Sequence, residues 1–150
     1  MDATDKKLLR AHQSSPSMPM SELGEQIGLS HTACWKRLKR MEKEGYIEGP
    51  AILLNQSALG LTVTVIVQVK LEKNATKQLD EFERAIQDHP EILTCFSMSG
   101  ASDYMLRVVA ASIEDFEVFL KEKLANLPHI ASLNSNFALK TIKSTTMLPI

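Results

Sequence analysis

From Val63 to Leu71 the chain alternates without a break. Val63, Val65, Val67, Val69 and Leu71 share one side, and Thr64, Ile66, Gln68 and Lys70, preceded by Thr62, share the other. Successive side chains point to opposite faces only in an extended strand, so this run predicts a strand with one fully apolar face. Such a face requires neighbouring strands and a covering layer. The residues that follow supply both. Leu79, Phe82 and Ile86 mark a helix that stops near His89-Pro90, a strand is predicted over Ile92–Met98, a turn over Ser99–Ser102, and another strand over Tyr104–Ala110. Ser112 with Asp115 three residues on has the spacing of a capping box and opens a helix carrying Phe116, Phe119, Leu120, Leu124 and Leu127. Pro128 closes it before a last strand over Ile130–Ile142. Strand, helix, strand, strand, helix, strand is the ferredoxin-like βαββαβ order, an antiparallel sheet with helices on one side. Thr64, Ile66, Thr94 and Phe96 leave its other face mixed in polarity, and a second copy of the sheet is the expected cover, which makes this segment a dimerisation domain.

Upstream the periodicity is helical. Asp5–Ala11 predicts a first helix, with Thr4 or Asp2 at its N-cap and Leu8 and Leu9 facing inward, and Ser14–Pro19 breaks it. Leu23 and Ile27 form the apolar stripe of a second, short helix, and Cys34, Leu38 and Met41 that of a third. Gly24 suits a close helix crossing, Gly28 permits a tight turn, Ser30 can accept N–H bonds at the start of the third helix, and Gly45 ends it. Tyr46-Ile47 and Ala51–Leu54, separated by Gly49-Pro50, predict a small two-stranded wing. Gln56–Leu61 reads as a linker. The expected organisation is α+β: a winged helix-turn-helix over residues 1–61, then the ferredoxin-like domain over residues 62–150.

Charge indicates what the third helix faces. Five of the eight residues from Lys36 to Lys43 are basic, although the whole chain has a net charge of −1. Affinity for a polyanion must therefore come from a local patch. In a helix-turn-helix the second helix of the motif enters the major groove with its N-terminal residues at the base edges, so His31, Thr32 and Lys36 are expected to read sequence and Arg37, Lys39 and Arg40 to meet phosphates of double-stranded DNA. A two-fold dimer would present two such helices to two half-sites.

Other chemistry finds little purchase. Cys34 and Cys95 lack Cys-x-x-Cys spacing, and His12, His31, His89 and His129 lie far apart, so no metal, cofactor or catalytic residue is expected. The chain begins without the apolar core of a signal peptide, and the Val63–Val69 run is too short to span a bilayer, which predicts a cytoplasmic protein without a membrane partner.

The chain resembles the Lrp/AsnC (leucine-responsive and asparagine-responsive, feast or famine) family of transcription regulators nearly end to end. The resemblance is carried by Asp2-x-x-Asp5-x-x-x-Leu9, Glu22-Leu23, Gly28-Leu29-Ser30, Cys34-x-x-Arg37-Leu38-x-x-x-Glu42-x-x-Gly45-x-Ile47, Ser99-Gly100-x-x-Asp103-Tyr104-x-Leu106 and Ile142-Lys143. It implies a DNA-binding regulator whose C-terminal domain dimerises, whose dimers assemble into octamers or similar rings, and which binds an amino acid near the turn Gly100, Ala101, Ser102, Asp103, Tyr104. Cys34–Arg40 and Phe137–Ile150 are further similar to a subgroup containing a cysteine-responsive regulator. Pro19 stands where that family usually has a capping Ser, and Ala101 where an acidic residue is common. Two alternatives share parts of this plan: a haem-pathway decarboxylase-like enzyme and an RNA-binding module. The latter needs stacking aromatics along its central strands, whereas Tyr104–Ala110 has only Tyr104 at its start.

A zwitterionic effector needs an acceptor for its ammonium and donors for its carboxylate. Asp103 can supply the first, the backbone of Gly100, Ala101 and Ser102 with the Ser102 hydroxyl the second, and Tyr104 an amphipathic wall. Cysteine, then methionine or leucine, are the expected effectors.

Overall fold

A computed structural model describes residues 1–72 and 76–150. The chain divides into two compact units, residues Met1–Leu53 with Lys143–Ile150, and Leu54–Ile142.

The first unit is three helices: α1 (Ala3–Ser14), α2 (Met20–Ile27) and α3 (His31–Lys43). Leu8, Leu23, Cys34, Leu38 and Met41 form its buried core, with the two stripes facing each other as the spacing predicts. A Cβ on Gly24 would lie 2.5 Å from the Leu29 carbonyl oxygen, so the helix-turn-helix crossing has no room for a side chain there. The Ser30 hydroxyl accepts the Ala33 N–H at 3.2 Å. Pro19 takes the N-cap position of α2 without a side-chain cap; its φ of −56° is already near helical, and its carbonyl accepts from Leu23 N at 3.0 Å.

The wing strands expected at Tyr46-Ile47 and Ala51–Leu54 do not form. So short a pair gains few bonds, Pro50 lacks a donor, and Ile52, Leu53 and Leu54 are largely exposed. Residues 56–61, read from the sequence as a linker, form a turn, with Leu59 N donating to Asn55 O and Leu61 N to Gln56 O.

The second unit contains β1 (Val63–Leu71), α4 (Thr76–Ala85, extended by a 3-10 turn to Asp88), β2 (Ile92–Ser97), β3 (Tyr104–Ala110), α5 (Ile113–Glu122) and β4 (Ile130–Phe137). The sheet order is β2-β3-β1-β4 with every pair antiparallel, the ferredoxin-like topology. Val65, Val67, Val69 and Leu71 pack with Leu106 and Val108 of β3 and with Phe82, Phe116, Phe119 and Leu124 in one core. Both helices therefore cover the same face. β4 ends at Phe137 instead of continuing to Ile142; only Ala138 N pairs beyond it, to Thr64 O, before β1 runs out of partners. The opposite face carries Thr64, Ile66, Thr94, Phe96 and Met105, with Phe96 57% exposed.

Candidate nucleic-acid interface and effector turn

On α3 the buried side is Cys34, Leu38 and Met41. At about 100° per residue, Thr32, Lys36, Lys39 and Lys43 fall on the opposite stripe, with Trp35 at its edge and His31 at the open N-terminal end of the helix. All six are exposed, Trp35 by 49%. Lys39 pairs with Glu42 at 2.6 Å on the surface. Lys36, Lys39 and Lys43 thus form a cationic row beginning beside His31 and Thr32 at the helix N-terminus, the end that a major groove receives first.

Arg37 and Arg40 are not part of this row. Arg37 Nη1 donates to Asp2 Oδ2 and Asp5 Oδ1, each at 2.7 Å, and Arg40 Nη2 donates to Asp5 Oδ2 at 2.6 Å. Asp2 and Asp5 also close a capping box on α1, with Asp5 N donating to Asp2 Oδ1 at 2.7 Å and Asp2 N to Asp5 Oδ2 at 2.8 Å. Asp5 is the buried hub, only 1% exposed. Burial by itself would raise its pKa, but the Asp2 N–H, Arg37 and Arg40 together hold it below the usual carboxylate value. Asp2, bonded first by Arg37 and then by the Asp5 N–H, is lowered to about 2. The two arginines expected to be free for phosphates instead brace α3 against α1. They still line, with Lys36 and Ala33, an open cleft of about 350 Å³. Asp2-x-x-Asp5 ahead of an apolar helix was the available signal for this brace, because that spacing matches a capping box.

In the second unit the turn between β2 and β3 is stitched to the end of β1. Met98 N donates to Asp103 O and Asp103 N to Val69 O, both at 2.8 Å. The Asp103 carboxylate accepts Leu71 N at 2.8 Å and Lys70 Nζ at 3.1 Å. Gly100 has φ +142°, a conformation that side-chain-bearing residues rarely adopt, and Gly100 and Ala101 are exposed while Ser102 is half-buried. Tyr104 does not stand beside this turn as a wall. It shares strand parity with Leu106 and Val108, is 2% exposed, stacks at 4.7 Å on Phe82, and donates its hydroxyl to Glu83 Oε1 at 2.7 Å. Burial, reinforced by Glu83, raises its pKa. Burial likewise pushes the neighbouring Cys95 thiol up to about 11, with Glu83 adding to the effect. Glu83 is the member of this cluster that the sequence reading missed; it sits one residue after Phe82 on an otherwise ordinary charged helix, which gives no separate signal.

Two family models match: a winged helix-turn-helix DNA-binding model over residues 1–48 and the Lrp/AsnC ligand binding domain over residues 64–148. The chain belongs to the Lrp/AsnC family of transcriptional regulators. It is 34% identical to the DNA-binding transcriptional activator DecR of Escherichia coli, over 100% of this chain and 99% of that protein. Among solved structures it resembles an AsnC family transcriptional regulator from Agrobacterium tumefaciens with a TM-score of 0.94 and 35% identity, covering 99% of this chain and 97% of that one. A transcriptional regulator from Neisseria meningitidis, solved as its L-methionine complex, matches with a TM-score of 0.93 and 31% identity over 99% and 96% of the two chains. The Lrp/AsnC ligand-binding match spans β1 through the residues after β4 and so includes the Gly100–Asp103 turn. The helix-turn-helix match takes in α1 to α3. Among the described residues no group of His, Cys, Asp or Glu is placed to hold a metal ion, and no helix is long and apolar enough to cross a membrane.

Proposed function

We propose that this Lrp/AsnC-family protein is a sequence-specific DNA-binding transcriptional regulator whose affinity for DNA, or whose assembly, responds to an amino acid. The observation that carries the DNA part is the exposed row Thr32, Lys36, Lys39 and Lys43 on α3, continuous with His31 at the helix start. In this reading residues 1–61 bind DNA and residues 62–150 bind the effector and assemble. His31, Thr32 and Lys36 read base edges, and Lys39 meets phosphates. Arg37 and Arg40 hold the helix in place and present their remaining N–H groups to phosphates at the rim of the cleft.

For the effector, the backbone N–H groups of Gly100, Ala101 and Ser102 and the Ser102 hydroxyl are assigned to the carboxylate. Asp103 is assigned to the ammonium and to holding the turn. Tyr104 contributes from below through Glu83. Cysteine, methionine and leucine are the first candidates, and the L-methionine complex of the Neisseria meningitidis relative supports an amino acid of this kind. Because Gly100 and Ala101 are exposed in a single chain, enclosure of the ligand requires a neighbouring subunit. The mixed sheet face with Ile66, Phe96 and Met105 is the proposed dimer surface, and dimers assemble further into an octamer or similar ring.

No catalytic step belongs to this reading. The exposed face of β1 and β3 carries Thr64, Ile66, Gln68, Met105 and Arg107, without the aromatics that an RNA-stacking surface needs. Two measurements test the proposal. Replacing Lys36, Lys39 and Lys43 together should abolish binding to fragments that the wild type selects from genomic DNA; unchanged binding refutes the DNA assignment. Calorimetric titration with the twenty amino acids should give a signal with wild type that Asp103→Ala weakens. If no amino acid binds at millimolar concentration, the effector assignment fails while the DNA assignment stands.

A further inference from the structure

The last eight residues behave unlike the strand they follow. Lys143–Ile150 belong with the first unit, although the chain reaches them directly from Ile142 of the second. They are held on α1 by a side chain that reads main chain. Gln13 Nε2 donates to Leu148 O at 2.8 Å, and Leu148 N donates to Gln13 Oε1 at 3.0 Å. One amide thereby satisfies both polar groups of one residue, as a neighbouring strand would. Arg10 Nε donates to the Ile150 carbonyl oxygen nearby. Within the segment, Met147 N donates to the Thr145 hydroxyl and Ile150 N to Leu148 O, which shapes it for that contact. Apolar burial adds little: Met147 is 49% and Leu148 67% exposed.

We infer that residues 143–150 form a releasable strap: docked on Gln13 and Arg10 of α1, they give the DNA-binding unit a second connection to the effector unit, closed by hydrogen bonds, through which amino-acid binding changes DNA affinity. The inference rests on the regulator reading above. The first connection is the chain crossing after Leu53; the second exists only while Leu148 is held. Its upstream end is anchored, since Phe137 packs edge-on against Phe116 at 5.4 Å and Ala138 N donates to Thr64 O at 2.9 Å. Displacement of β4 in the effector unit is therefore carried along ten residues to the C-terminal turn of α1. A strap held by a few exposed hydrogen bonds opens far more readily than the core and so can be switched by a ligand. Because recognition is of main chain, the identity of residue 148 matters less than its N–H.

The test uses the full chain, L-methionine, L-cysteine and L-leucine as probes, and a DNA fragment that the wild type itself selects. Gln13→Ala should speed hydrogen exchange of the Leu148 amide roughly tenfold and quicken tryptic cleavage after Lys143. Leu148→Ala should leave both near wild type, whereas Leu148→Pro, which has no amide at 148 to donate to Gln13 or to exchange, should match Gln13→Ala in tryptic cleavage. In the released variants, DNA affinity without amino acid should stay within about threefold of wild type, while the ratio of affinities with and without amino acid should fall towards one. Unchanged exchange and cleavage in Gln13→Ala overturn the strap. A freed strap with an undiminished ratio overturns its coupling role. A wild type with no response to any of the three amino acids overturns the coupling and speaks against the effector reading, while the exchange data still decide whether Gln13 holds the segment.

Discussion

The two units solve the same packing problem with different means. Among the described residues, the effector unit buries fourteen side chains in one cluster between its sheet and helices, whereas the three-helix unit buries five. The smaller unit supplements that core with a buried carboxylate, Asp5, which ties the first turn of α1 to Arg37 and Arg40 of α3. A three-helix unit of this size gains little from apolar burial, so a charge network makes up a larger share of what orients its helices. The difference matters for the proposed function because α3 is the helix that carries the exposed row assigned to DNA. Its orientation depends on ion pairs that respond to acid and to competing anions, while the turn at Gly100–Asp103 is tied by main-chain bonds and the Asp103 carboxylate to β1, whose inner face lies in the larger apolar core.

The contrast can be broken most strongly in the larger core. Phe82→Ala or Phe116→Ala, each removing a fully buried ring, should cost the effector unit about 3–5 kcal/mol. Trp35, the single tryptophan, lies on α3 and reports on the other unit, so denaturant unfolding followed by circular dichroism and by Trp35 fluorescence should separate into two transitions. A Trp35 transition that shifts as far as the circular dichroism transition would show that the units do not unfold independently.

Asp5→Ala should act on the smaller unit, by about 2–3 kcal/mol, less than a fully enclosed ion pair because Arg37 and Arg40 retain exposure and can turn to water. It should also weaken binding to DNA by loosening α3, although it removes a negative charge, which on Coulombic grounds alone would strengthen binding. Tighter binding would mean that the brace does not orient the helix. Both aspartates have folded pKa values below their unfolded value of 3.8. Their contribution is therefore complete above that value and is lost as pH falls towards about 2, where Asp2 protonates. The Trp35-reported transition should move to lower denaturant over this acid range in wild type, and less so in Asp5→Ala.

Finer discrimination comes from salt. Lys36→Ala, Lys39→Ala or Lys43→Ala should each lower the magnitude of the logarithmic salt slope of DNA binding by about 1. Arg37→Ala should change the slope less and thermal stability more. Equal slopes for Arg37→Ala and Lys43→Ala would make Arg37 a full phosphate contact and not chiefly a brace. The smallest expected effect is Tyr104→Phe, about 1 kcal/mol in the effector unit from the lost bond to Glu83, with a shift in amino-acid affinity only insofar as that bond steadies the turn.

Much of this was legible along the chain because it is periodic. The alternation of Val63–Leu71 identifies a strand and its buried face, the 3.6-residue spacing of Cys34, Leu38 and Met41 identifies a helix and its inner stripe, and Ser30 and Ser112 mark where helices begin, whereas α5 ends at Glu122, ahead of the expected stop at Pro128, with Leu124–Asn126 in a 3-10 turn. Periodicity is local, and it is enforced by backbone geometry common to all proteins. The same parity turns Tyr104 inward with Leu106 and Val108.

What local pattern cannot contain is the partner of a polar group. Arg37 and Lys36 are adjacent basic residues on one helix, yet one meets Asp5 from 32 residues upstream and the other faces solvent. Leu148 finds Gln13 from 135 residues away, and the predicted wing strands at Tyr46-Ile47 and Ala51–Leu54 do not pair with each other. Apolar side chains need only an inside, which their spacing announces; a hydrogen bond or ion pair needs one particular atom at about 3 Å, and only the folded chain decides which atom that is. The sequence by itself thus determined the order of elements, the two cores and the family. Tertiary structure alone decided which cations remain available to DNA, which carboxylate is buried, and where the end of the chain is held.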